Sequence, residues 1–144
     1  MIVRCKQAQP SPEHIARHGK PFAQPDVLEA GQEYVVLALQ FEVESLIWGT
    51  GAWLQLPHED KTMVFAPMCL FEIVDGRMSQ HWEMRQWEDG SVTFWPLSFY
   101  ADYYHDDLRA GKADVLEDFH QVWEVLDNEA RGTAPLPVGS RAAD

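Results

Sequence analysis

The sequence is poor in cysteine, in basic residues and in long apolar stretches. Two cysteines, Cys5 and Cys69, occur among 144 residues, which excludes a disulfide-stabilised scaffold and predicts free thiols. No stretch of about 18 apolar residues occurs, so the sequence predicts no membrane-spanning helix. Residues 1–20 also lack the apolar core of a secretory signal peptide. We therefore expect a cytoplasmic protein without a membrane partner.

Motifs that bind phosphate or metal are also lacking. The sequence contains neither G-x-G-x-x-G nor the P-loop pattern, and the glycines of residues 49–51 are too closely spaced to cradle a phosphate. His105-Asp106-Asp107 has metal-binding residue types, but side chains adjacent in sequence rarely converge on one ion. No serine lies in a G-x-S-x-G elbow, and Cys69 lies in an apolar segment that favours an inert core thiol. We predict no catalytic residue, no metal and no organic cofactor.

The charge balance is strongly acidic. The chain has 11 basic and 23 acidic residues, which gives a net charge of −12. Such a field repels nucleic acids and anionic lipids and favours basic partners. The acids concentrate in residues 102–129, which contain nine acidic and two basic side chains. This segment indicates either a docking surface for a basic protein or simply a solvated face that keeps the protein soluble.

The middle of the chain has the composition of β-strands. Apolar, β-branched and aromatic residues dominate four segments, namely 34–43, 53–56, 63–66 and 69–74. Asp89-Gly90 separates residues 81–88 from residues 91–95, and an Asp-Gly pair between strand-like segments is typical of a β-hairpin. Trp82 and Trp87 are an odd number of positions apart, so a regular strand would direct them to opposite faces.

Helices are predicted after Pro96. One would begin at Ser98 and end at Gly111, and a second would occupy residues 112–129. The second has an apolar stripe that we expect to be buried, formed by Leu116, Phe119, Trp123 and Leu126. Strands followed by helices predict an α+β fold, an antiparallel sheet of about five strands with C-terminal helices packed on one face or end.

We expect one domain over residues 1–144. It would comprise an irregular leader with a short helix from Ser11 to Gly19, a sheet region, a helical region and a loose tail; these are residues 1–25, 26–96, 97–130 and 131–144.

Aromatic and acidic side chains are the candidates for partner binding. Aromatic side chains dominate the hot spots of protein interfaces, and exposed carboxylates steer basic partners. The predicted partner-binding residues are Trp87, Asp106, Asp107, Asp114, Glu117, Asp118, Glu124 and Asp127.

Four segments carry a family resemblance: residues 71–79 (FEIVDGRMS), Trp82, residues 89–91 (DGS) and residues 104–108 (YHDDL). In size, acidity and layout over residues 28–129, the chain resembles small bacterial immunity proteins of polymorphic-toxin and contact-dependent growth inhibition systems. The resemblance implies a cytoplasmic protein that binds and blocks one toxin domain. These proteins share no catalytic motif, so no site residue is transferred.

Two other functions remain open. A small enzyme or ligand-binding domain would use a pocket between sheet and helices, with His105 and nearby carboxylates. The other is a subunit whose only role is assembly.

Overall fold

The computed structural model describes residues 1–7, 11–13, 28–45, 49–59 and 63–132. Within these residues the chain forms eight strands and then two C-terminal α-helices, and Pro12 and Glu13, between the first two strands, also have helical backbone. The strands are β1 (Ile2–Cys5), β2 (Glu33–Val35), β3 (Ala38–Ser45), β4 (Gly49–Pro57), β5 (Met63–Pro67), β6 (Phe71–Asp75), β7 (Trp82–Gln86) and β8 (Val92–Pro96). The α-helices are α1 (Tyr104–Arg109) and α2 (Ala113–Ala130), and two 3-10 turns lie at Met68–Leu70 and Leu97–Tyr100.

The fold is α+β, as predicted, but its strands form two antiparallel sheets. A five-stranded sheet has the order β5-β4-β3-β8-β7, and a three-stranded sheet has the order β2-β1-β6. The segment predicted as one strand over 34–43 is divided between them, because β2 ends at Val35 and β3 begins at Ala38. All six residues from Val35 to Gln40 are buried, so composition alone does not show where the chain passes from one sheet to the other.

The prediction of an irregular leader is wrong at its first residues. β1 is the central strand of the smaller sheet, and it pairs with both β2 and β6. Val3 and Cys5 point into the core, whereas Arg4 lies on the outer side and forms ion pairs with Glu33 and Glu72. Beyond Glu13, the helix predicted to start at Ser11 lies outside the described residues, as does the predicted tail from residue 133.

Two apolar clusters make the five-stranded sheet a middle layer. On one face, Leu39, Leu54 and Leu56 pack with residues of the smaller sheet such as Val3. On the other, Ala38 belongs to a cluster with α1 and α2. β4 is accordingly buried on both sides, since consecutive residues 53–56 are all at most 1% exposed.

The helical region differs from its prediction in the first helix. Residues 98–111 do not form one helix: a 3-10 turn at Leu97–Tyr100 is followed by Tyr103, whose positive φ of 62° interrupts the helical backbone before α1. α2 matches its prediction closely. Phe119 and Leu126 are buried as expected, whereas Leu116 and Trp123 are only half-buried at the border of the core.

The predicted hairpin is present as β7 and β8. Gly90 follows Asp89 with a φ of 87°, a left-handed conformation that glycine adopts without steric cost. Trp82 packs toward the core and donates its indole N–H to the backbone oxygen of Leu37 at 2.9 Å. Trp87 follows β7 and is 45% exposed. The two tryptophans therefore have the different environments that their odd spacing predicted. Neither cysteine forms a disulfide with a described residue; Cys5 is buried, and Cys69 is half-buried.

Candidate functional site: an aromatic trough beside helix α1

A concave surface lies between α1 and the five-stranded sheet. It consists of two adjoining concavities of about 350 Å³ and 270 Å³, which share Trp87, Trp95 and His105. We call this surface the aromatic trough. The side chains that define it are Glu42, Phe65, Trp87, Asp89, Trp95, Tyr100, Asp102, His105, Asp106 and Arg109.

Closely packed rings form the floor of the trough. The ring of Trp95 lies 4.9 Å from that of Tyr100 and 5.0 Å from that of His105, between centroids. Trp87 lies 6.3 Å from both Trp95 and Tyr100. The guanidinium of Arg85 lies 3.9 Å from the centroid of Tyr100, a cation–π contact at the end of this ring series.

Hydrogen bonds fix the position of the exposed indole of Trp87. Its N–H donates to Thr93 Oγ1 at 3.1 Å, and Thr93 Oγ1 lies 2.7 Å from Tyr100 Oη. Tyr100 has one hydroxyl proton and donates it to the backbone oxygen of Glu83 at 2.8 Å, so Thr93 donates to Tyr100. The chain of donors therefore runs from Trp87 through Thr93 and Tyr100 to β7, and it holds the indole in place before any partner binds.

A second hydrogen-bond chain holds His105. Its Nε2 lies 3.1 Å from Gln55 Oε1, and the Gln55 amide donates to Gln40 Oε1 at 3.2 Å. The Gln40 amide in turn donates to Glu42 Oε1 at 3.0 Å. Because an amide oxygen can only accept, Nε2 carries the proton. Burial, and secondarily the charge of Arg109, lowers the pKa of His105 to about 4, so the ring is neutral near pH 7.

Two acidic side chains line each concavity of the trough. Glu42 and Asp89 belong to one concavity, and Asp102 and Asp106 belong to the other. Burial and the nearby Asp89 both raise the pKa of Glu42. Arg109 is the cation of the lining, and its guanidinium lies 3.9 Å from Asp106.

The structure separates the predicted partner-binding residues into three groups. Trp87 and Asp106 line the trough together. Asp107, Asp118 and Asp127 have intramolecular partners: Lys112 at 2.8 Å, the hydroxyl of Tyr104 at 2.7 Å and Arg131 at 2.9 Å. The third group is exposed on the outer face of α2 and makes no ion pair with any described residue; it comprises Asp114, Glu117 and Glu124.

Sequence reasoning missed the residues that organise the trough. Gln40 and Gln55 are 5% and 0% exposed, and Thr93 is 3% exposed, so all three are buried polar groups. Gln40 and Gln55 could have been identified because each is a polar residue inside an apolar strand segment. A buried side-chain amide needs hydrogen-bond partners, so such a position predicts a polar network. Tyr100 and Trp95 gave no comparable signal.

Within the described residues, no group of three or more histidine, cysteine or acidic side chains is arranged to hold a metal ion. None of the described helices combines the length and apolarity needed to cross a membrane. Comparison with protein-family models, with curated proteins and with solved structures found no match to this chain.

Proposed function

We propose that this protein is a non-enzymatic cytoplasmic inhibitor, an immunity protein that binds and occludes a basic toxin domain such as a nuclease. The observation that carries the proposal is the charge of α2. Its 18 residues include six acids and neither lysine nor arginine. Asp114, Glu117 and Glu124 lie on its outer face without an ion-pair partner among the described residues. A basic partner would neutralise this surface.

The aromatic trough supports binding of a protein partner. Trp87 is 45% exposed yet held by Thr93, so it supplies apolar contact area at little cost in side-chain entropy. Exposed, ordered tryptophans are frequent interface anchors. The proposed mechanism is occlusion: carboxylates on α2 would repel or imitate an anionic substrate of the toxin, while the trough would supply close contacts.

A second candidate is a small ligand-binding domain or enzyme centred on His105. The concavity between sheet and helices favours it, because its volume of about 350 Å³ lies in the range of small-molecule sites, roughly 300–1,000 Å³. Against catalysis, the Nε2 proton of His105 is engaged by Gln55. The adjacent trough residues Trp95 and Phe65 offer no nucleophile.

The test of inhibition is co-expression with the C-terminal domain of a toxin encoded beside this gene. Survival of the cells and co-purification of a complex would support the proposal. Continued killing despite soluble expression of both proteins would contradict it, as would the lack of such a neighbouring toxin.

Reversing the charge of the α2 surface should slow association with the basic partner. We expect the double variant Glu117→Lys, Glu124→Lys to reduce the association rate about tenfold at low salt, because exposed charges act mainly on encounter. The loss should shrink at physiological ionic strength, where charges are screened beyond about 8 Å. Stopped-flow measurements at two salt concentrations would quantify both effects.

The matched control is Glu29→Lys, Glu44→Lys. This control changes the net charge by the same amount as the α2 variant, but at two exposed residues outside α2. If both double variants slow association to the same extent, only net charge matters and α2 is not the docking face. If neither does, the acidic face of α2 is merely solvated.

A further inference from the structure

We propose that the aromatic trough binds one arginine side chain of the basic partner. This inference rests on the proposed inhibitory function and assigns the central contact within it. The guanidinium would lie against the rings of Trp87 and Trp95, with its N–H groups directed toward the acidic side chains of the lining.

The aromatic floor is suited to a planar cation. Aromatic faces attract cations within about 6 Å of the ring centroid, and guanidinium groups also stack on them. The same ring series already accepts one guanidinium, since Arg85 lies 3.9 Å from the centroid of Tyr100. Trp87 is exposed but fixed by its hydrogen bond to Thr93, so an incoming side chain would meet a preformed surface.

The charge of the lining selects a cation over an anion or a neutral ligand. Four carboxylates, those of Glu42, Asp89, Asp102 and Asp106, face one cation, Arg109. Burial and the charge of Asp89 raise the pKa of Glu42, whereas hydrogen bonds from Ser91 lower the pKa of Asp89, so the charged Asp89 repels a charged Glu42. A guanidinium between them would relieve that repulsion. A second copy of this chain, which also has a net charge of −12, would increase the repulsion among the carboxylates.

Arginine fits better than lysine for a geometric reason. A guanidinium has five N–H donors in a plane, so it can stack on a ring while donating sideways to carboxylates on two sides. The trough offers both kinds of group, since each of its two concavities is lined by aromatic rings and by two carboxylates. A lysine ammonium is a compact, strongly hydrated charge that gains less from stacking.

The probe is a set of three peptides, acetyl-Gly-X-Gly-amide with arginine, lysine or citrulline at X. Citrulline keeps the planar shape of arginine without its charge. Titrations of the full chain would follow the indole N–H signals of Trp87 and Trp95 by NMR, so that Trp95 still reports when Trp87 is replaced. We expect saturable binding of the arginine peptide in the millimolar range, several-fold weaker binding of lysine and about tenfold weaker binding of citrulline.

Two variants assign the binding to the trough. Trp87→Leu removes the aromatic face, and the isosteric pair Glu42→Gln, Asp106→Asn removes charge with little change of shape. Each should weaken the arginine peptide about tenfold. Glu88→Gln is the matched control, because Glu88 is exposed beside Trp87 but does not line the trough; it should bind as the parent does.

Three results would overturn the inference: equal affinity for arginine and citrulline, no saturable response at Trp87, or full affinity in the Glu42→Gln, Asp106→Asn variant. Failure here is distinguishable from failure of the proposed function. If the toxin is neutralised equally by the parent and the trough variants, inhibition stands and the arginine contact is wrong. If the arginine peptide binds but no toxin is neutralised, the trough is a cation site and inhibition is wrong.

Discussion

Replacing Phe119 with alanine should lower the free energy of unfolding by about 3–5 kcal/mol. Phe119 is fully buried at the centre of the cluster that joins α2 to the five-stranded sheet. Its ring is stacked on Phe99 at 6.4 Å and tilted against Trp123 at 6.1 Å, between centroids. Alanine would remove these contacts and leave a cavity that the surrounding elements can only partly close.

Urea unfolding followed by circular dichroism would measure the change. The matched control is Val125→Ala on the same helix, where the side chain is 43% exposed; its cost should stay within about 0.5 kcal/mol. A Phe119→Ala protein as stable as this control would show that α2 does not contribute its apolar stripe to the core.

Acidification from pH 6.5 to pH 4 should cost about 3 kcal/mol of stability through His105 alone. In the folded protein, burial lowers the pKa of this imidazole to about 4, whereas its ordinary value is 6.5. The unfolded chain therefore binds a proton at pH values where the folded chain does not, and each pKa unit is worth about 1.4 kcal/mol. The stabilisation is complete above pH 6.5 and is lost as the pH falls toward 4.

The pH series requires a variant that does not titrate. His105→Gln retains an amide donor for Gln55 Oε1, and its stability should fall less than that of the parent over this pH range. Other groups are common to both proteins and cancel in the difference. The Arg77 guanidinium lowers the pKa of Asp75 to about 2, so protonation of Asp75 reduces the stability mainly below pH 4. The pKa of Glu42 is raised, so its protonation changes the stability with the opposite sign. Parallel curves for the two proteins would show that His105 is not buried in its neutral form.

Features with a local cause were predictable from the sequence. The helical spacing of apolar residues from Leu116 to Leu126 determines α2, because one face of a helix repeats every 3.6 residues. Asp89-Gly90 likewise determines the β7–β8 turn, since glycine adopts the left-handed backbone that the turn needs. The first helix was less accurately predicted, because nothing local to Tyr103 shows that the backbone leaves the helical region there.

Strand pairing could not be read from composition. Residues 34–43 have one continuous strand-like composition, yet β2 and β3 belong to different sheets. The residues around the break, Val35 to Gln40, are all buried, so no change in hydrophobicity marks it. β1 is four residues long and has a basic residue at Arg4, so its pattern was too short to identify. Its place at the centre of a sheet depends on β2 and β6, which lie about 30 and 70 residues further along the chain.

The sequence by itself determined the acidity of this protein, the amphipathic α2 and the tryptophan-bearing hairpin, because each depends on residues close together in the chain. Only the tertiary structure decided which of these features meet. It directed Asp118 and Asp127 to intramolecular partners and left Glu117 and Glu124 exposed. It also assembled the trough from β3, β5, the hairpin and α1. Buried Gln55 and Gln40 need hydrogen-bond partners, and they find them in each other, in His105 on α1 and in Glu42 on β3.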